Sequence, residues 1–135
     1  MTKHYLNPPS LFDAQPFGFS QIVSCSNGTA YISGQTAWDT EGKLSRGGDF
    51  SAQLNAALEN LVKAVEAIGG SAADIVRVRL YIVNHVPAYL ETVGQTMTKL
   101  FGPDALPAST LIGVAQLAVP ELLVEIEADV CVGFF

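Results

Sequence analysis

The chain has 135 residues, a formal net charge of −6 and a pI near 4.6. That length suits one domain that buries about two-thirds of its unfolded surface, so neither a disulfide nor a metal is needed for folding. Seven scattered basic residues against thirteen acids argue against a nucleic-acid partner, which needs clustered Lys and Arg to displace phosphate counterions.

Hydrophobic residues make up 49 % and charged residues 15 %. So few charges point to some surface being covered in an oligomer. No apolar stretch reaches membrane-span length, and the first residues hold no apolar signal core, so a cytoplasmic protein without a membrane partner is the default expectation. Cys25 and Cys131 lie far apart in strand-like runs with no CxxC partner, and read as buried free thiols.

In chain order, the first dozen residues, with Pro8 and Pro9, read as an irregular arm. Phe19–Ser26 and Thr29–Gln35 are β-prone, with the hairpin signal Asn27-Gly28 between them. Residues 36–48 read as a loop, turning in Asp39–Lys43 and closing at Gly47-Gly48. The spacing of Phe50, Leu54, Ala57, Leu58, Leu61, Val65 and Ile68 predicts a helix over Phe50–Ile68. Asp49 is its N-cap and Gly69-Gly70 its stop. Ile75–Asn84 predicts a strand, and Pro87 leads into a second helix, Ala88–Phe101, ended by Gly102-Pro103. Ser109–Leu117 and Leu122–Val132 are two further strands, parted by a turn at Pro120. The order β-β-α-β-α-β-β predicts one α+β domain over 1–135, a mixed sheet with two helices packed on one face.

Two strands have informative faces. Val124, Ile126, Ala128, Val130 and Val132 alternate with Glu125, Glu127, Asp129 and Cys131. Val76, Val78, Leu80 and Ile82 alternate with Arg77, Arg79 and Tyr81. The apolar faces belong under the helices. The charged faces are either solvated and ion-paired, with the two arginines near the three acids, or form an oligomer interface or a cleft wall.

Motifs for cofactors are missing: no glycine-rich phosphate loop, no HExxH and no Cys/His metal spacing. No cofactor and no metal are therefore expected. His4 and His85 read as surface or boundary histidines, and nothing points to a Ser-His-Asp set. Trp38, in the loop after Gln35, is either a packing anchor or an aromatic wall for a small ligand. Leu106–Glu127, the segment expected to line a functional cleft, contains no Lys, Arg or His.

From about Phe19 to Val132 the chain resembles the RidA/YjgF (endoribonuclease L-PSP-like) family. The resemblance is carried by YISGQT at Tyr31–Thr36, QLNAALENLVKAVEAIG at Gln53–Gly69, DIVRVRLYI at Asp74–Ile82 and LLVEIEA at Leu122–Ala128. It implies a chorismate-mutase-like homotrimer with clefts for a small-molecule ligand between adjacent subunits. It also implies hydrolysis of reactive imines or enamines, with Glu125 placing a water and Ser33 lining the cleft. The family's arginine, which forks onto a substrate carboxylate, follows Pro-Ala. Here Pro107-Ala108-Ser109-Thr110 puts Ser109 there, and serine brings neither charge nor fork. The family's cleft tyrosine falls on Phe19, and an asparagine of the second helix on Gly94.

The resemblance therefore implies a divergent RidA-like enzyme, hydrolytic in outline, that is not a 2-iminopropanoate deaminase. Glu125 is the expected catalytic residue, and Ser33, Ser109, Thr110, Phe19 and Trp38 the expected substrate-binding ones. Without the resemblance, Glu125 reads as an interface carboxylate paired with an arginine such as Arg77. A non-catalytic metabolite-binding module is the alternative, and ribonuclease activity, a label some members carry, a third against which the acidity argues.

Overall fold

A hairpin opens the sheet. Strands β2 (Ile22–Cys25) and β3 (Thr29–Gln35) pair antiparallel across Asn27-Gly28. Gly28 takes a φ of 93° and its N–H donates to the Cys25 carbonyl, while the Asn27 side chain accepts from the Thr29 N–H at 3.1 Å. A strand β1 (Lys3–Leu6) adds to the free edge of β2, with Lys3 opposite Cys25 and Leu6 opposite Ile22. The arm expected to be irregular is thus partly a strand. The open edge of β2 offers backbone partners that outweigh the weak local preference of four residues.

Helix α1 (Phe50–Ala67) starts where Asp49 accepts from the Ala52 N–H at 2.7 Å. It stops where Gly69, at φ 83°, and Gly70 donate to the Glu66 and Val65 carbonyls. Strand β4 (Ile75–Val83) leads through helix α2 (Tyr89–Phe101) to β5 (Ala108–Val114), which pairs parallel with β4 as such a crossover allows. The last strand, β6 (Val124–Cys131), slots antiparallel between β3 and β4.

The structure, a computed structural model, describes residues 1–45 and 48–133. Among them six strands form one mixed sheet in the order β1-β2-β3-β6-β4-β5. Gly47, half of the expected Gly47-Gly48 break, lies outside the described residues. Leu54, Leu61 and Val65 of α1 and Val93 and Met97 of α2 join one core cluster with Val124, Ile126 and Ala128 of β6. Phe50 stacks on Tyr89 with ring centroids 4.0 Å apart, tying the helices together.

Two expectations fail on the faces of the sheet. Ile75 pairs with Val130 and Arg77 with Asp129, so Val76 is an extra residue in a β-bulge. Ile75 takes the core position, 4 % exposed, and Val76 turns out, 46 % exposed. The expected alternation holds only from Val78 onward. The cysteines are not buried thiols either: Cys25 is half-buried and Cys131 exposed. Both lie on the face away from the helices, which no described helix or strand covers.

Candidate functional site

The site begins with a second bulge. Ile32 pairs with Ala128 but Gln35 with Ile126, so Ser33-Gly34 adds one residue to β3 opposite β6. Hydrogen bonds fix the bulge. The fully buried Gln21 and the buried Gln35 join through their amides at 2.7 Å. Gln35 also donates to the Ser33 carbonyl, and the Ser33 N–H donates to the Gln21 carbonyl. The Ser33 hydroxyl donates to the Ser20 carbonyl at 2.6 Å, so it offers a ligand only its acceptor capacity.

Glu125, on β6 opposite Tyr81, lays its side chain over Gly34. A methyl group at position 34 would stand 2.8 Å from Glu125 Cγ and overlap the carboxylate itself. Only glycine leaves that space. Burial, and secondarily the Glu127 charge, pushes the Glu125 pKa above its ordinary 4.5. The expected pairing with Arg77 is not made, because the register sets Arg77 opposite Asp129. Arg79 pairs instead with Glu127 at 3.7 Å and Asp129 at 3.5 Å, and Tyr81 donates its hydroxyl to Glu127. That hydrogen bond holds the Tyr81 pKa above its ordinary value. Among the described residues Glu125 has no hydrogen-bond or ion-pair partner.

The carboxylate faces a cleft of about 540 Å³, within the ordinary range for small-molecule sites. Its walls are aromatic: Phe12, Phe17, Phe19 and Trp38. Phe12 is the hub, meeting Phe17, Phe19 and Trp38 edge-on at 5.9, 6.2 and 5.1 Å. Ser33, Gly34, Thr36 and Glu127 complete its polar side, and no described Lys, Arg or His lines it. Phe12 and Phe17 were missed by sequence reasoning. The available signal was three phenylalanines within eight residues of a segment without helix or strand periodicity.

Buried amides hold the walls from behind. Gln21 donates to the Phe12 carbonyl at 3.0 Å. Asn60 of α1 donates to the carbonyls of Thr36 and Trp38, both at 2.8 Å. Gln53, about two helical turns earlier, donates to the Glu121 carbonyl and accepts from the Leu123 N–H, both at 2.8 Å. Trp38 lines the cleft and packs against Phe12; its indole nitrogen is buried without a partner among the described residues.

The structure gathers Glu125, Ser33, Phe19 and Trp38 of the expected site, and not Ser109 or Thr110. Those two are exposed on β5, which β4 separates from β6. Gly94 has open space around it. His85 lies outside the cleft, near the Tyr89 ring. Among the described residues no group of His, Cys, Asp and Glu is arranged to hold a metal, and no helix is long and apolar enough to cross a membrane.

A family model described as endoribonuclease L-PSP matches residues 14–132. A protein of Dermatophagoides farinae named 2-iminobutanoate/2-iminopropanoate deaminase is 32 % identical over 121 residues, covering 87 % of this chain and 89 % of that one. Among solved structures, a Rid-family protein of unknown function from Yersinia pestis, YyfB, is 40 % identical with a TM-score of 0.74, over 98 % of this chain and 100 % of that one. A putative endoribonuclease from Thermotoga maritima is 30 % identical with a TM-score of 0.83, over 99 % and 100 %.

Proposed function

The chain belongs to the endoribonuclease L-PSP family, the RidA/YjgF proteins, and from that membership we propose that it is a small-molecule enzyme in which Glu125 directs a water onto a C=N bond. The observation that carries this reading is the Glu125 carboxylate over Gly34, without a partner among the described residues and facing an aromatic-walled cleft. A carboxylate with a raised pKa is suited to take a proton from water. The water oxygen bonds to the iminium carbon as its proton passes to Glu125. Glu125 returns that proton to the nitrogen, and the C–N bond breaks with its electron pair leaving on ammonia. The remaining hydroxyl proton ends on the ammonia, giving a carbonyl compound and ammonium.

The substrate differs from the two in the deaminase relative's name, both of which carry a carboxylate. Ser109 stands where the resemblance places the carboxylate-holding arginine, and the cleft offers Glu125 and Glu127 with no cation among the described lining residues. An anion there is repelled. The same features, with a net charge of −6, weigh against a phosphate backbone as substrate. Loss of the anchor with retention of the cleft also favours a second reading, metabolite binding without turnover.

A panel of imines generated in situ by amino-acid and amine oxidases tests this. Decay of 2-iminopropanoate is expected to be unchanged by the protein, and decay of an imine without a carboxylate accelerated. Fast deamination of 2-iminopropanoate would overturn the reading, and acceleration of neither imine would favour the binding module.

We further propose that the bare sheet face joins copies of the chain in a homotrimer with clefts between subunits. Tyr31 is 53 % and Ile112 41 % exposed on that face, which suits a contact between copies. Ser109 and Thr110 then approach a neighbour's cleft instead of their own. Light scattering is expected to give three times the 14.3 kDa chain mass, and the mass of a single chain would remove the interface.

A further inference from the structure

We propose that the ligand of this cleft is an organic ammonium or iminium ion with an apolar body, its nitrogen set against Glu125 and its body among Phe12, Phe19 and Trp38. This assignment rests on reading the cleft as a small-molecule site and goes further by fixing the sign of the ligand's charge.

Glu125 is the anchor because it has no internal partner among the described residues. A charge held in a partly buried site without a counter-ion is costly, and a bound cation relieves that cost. The groups around it supply no substitute. β3 brings Ser33 and Gly34, which are uncharged. β6 brings Glu127, a second negative charge, and β4 brings the neutral Tyr81. The Arg79 guanidinium is shared between Glu127 and Asp129. Should a second copy lay β5 across the mouth, it brings Ser109 and Thr110, and no Lys, Arg or His lies anywhere in 106–127.

The walls point the same way. Aromatic faces attract cations, and aromatic cages around a carboxylate suit ammonium groups better than neutral or anionic ones. Phe17, 70 % exposed, and Phe19, 39 % exposed, leave ring surface open at the cleft. A volume of about 540 Å³ accommodates an arylalkyl amine. An alcohol of the same shape fills the cleft but leaves Glu125 uncompensated. A carboxylate of that shape adds a third negative charge.

The test uses three probes of matched shape: 2-phenylethylammonium, 2-phenylethanol and 3-phenylpropionate, titrated calorimetrically at pH 7. The ammonium is expected to bind at least tenfold tighter than the other two, and Glu125→Gln to lose that preference. If Glu125→Gln does not fold, Phe19→Leu replaces it, with a several-fold loss expected for the ammonium and a smaller one for the alcohol. Absence of ammonium binding, equal or tighter binding of the carboxylate, or undiminished ammonium binding by either variant overturns the assignment. The outcomes separate it from the hydrolytic reading. Ammonium binding without imine turnover leaves the cation site standing and ends the hydrolase; imine turnover without ammonium binding does the reverse.

Discussion

Glu125→Gln is expected to abolish turnover and, at pH 7, to make the protein more stable. The folded state raises the Glu125 pKa above the unfolded value, so folding favours the protonated form. Below the ordinary carboxylate pKa, Glu125 is neutral in both states and costs nothing. As pH rises above it, the unfolded chain ionises freely while the folded one resists, and stability falls until the folded pKa is passed. Glutamine is neutral throughout and escapes that loss. Melting curves of the two proteins should therefore nearly coincide at pH 4 and separate towards pH 7, with the variant melting at the higher temperature. Turnover, which needs the ionised carboxylate, should rise with pH through a value above 4.5 and fall by about 10²–10⁴ in the variant. A variant less stable than the wild type at pH 7 would show that the carboxylate has a stabilising partner, and the account of the site would fail.

Gly34→Ala reaches the same carboxylate by pushing it. Gly34 is not among the positive-φ glycines, so its backbone tolerates a side chain. The obstacle is the Glu125 side chain, which can swing aside. Stability is thus expected to change little, by about 1 kcal/mol or less, because the displaced group gains solvent. Turnover is expected to fall by about 100-fold, since a displacement of about 1 Å at a reacting group has that effect. A Gly34→Ala protein with full activity would mean that Glu125 does not act from over the bulge. Steady-state kinetics with the best imine of the panel, together with a melting curve, reads both quantities.

These two residues also mark where sequence reading succeeds and where it stops. Helix α1, its Asp49 cap, the Asn27-Gly28 hairpin and the alternation of β6 are local patterns, and the structure repeats them. The bulges at Val76 and Ser33-Gly34 are not local. Counting every second residue assumes an unbroken ladder, and the Ser33 bulge is set by Gln21 and Gln35, fourteen positions apart. Strand β1 has four residues beside two prolines, and only the edge of β2 makes it a strand. Glu125, Ser33, Phe19 and Trp38 were singled out by resemblance and chemistry, and their meeting in one cleft depends on β3 lying beside β6. Ser109 and Thr110 fall outside the same chain's cleft because β4 intervenes, which adjacency in sequence conceals.

The buried amides behind the cleft have a consequence for how such a protein changes over generations. Gln21, Asn60 and Gln53 grip main-chain groups of residues 12, 36, 38, 121 and 123, never the side chains of the wall. A peptide group is the same whatever residue carries it. Mutations can therefore exchange one wall side chain for another while the grip is untouched, and the fold need not be rebuilt for each new ligand. Such an arrangement lets selectivity drift faster than architecture.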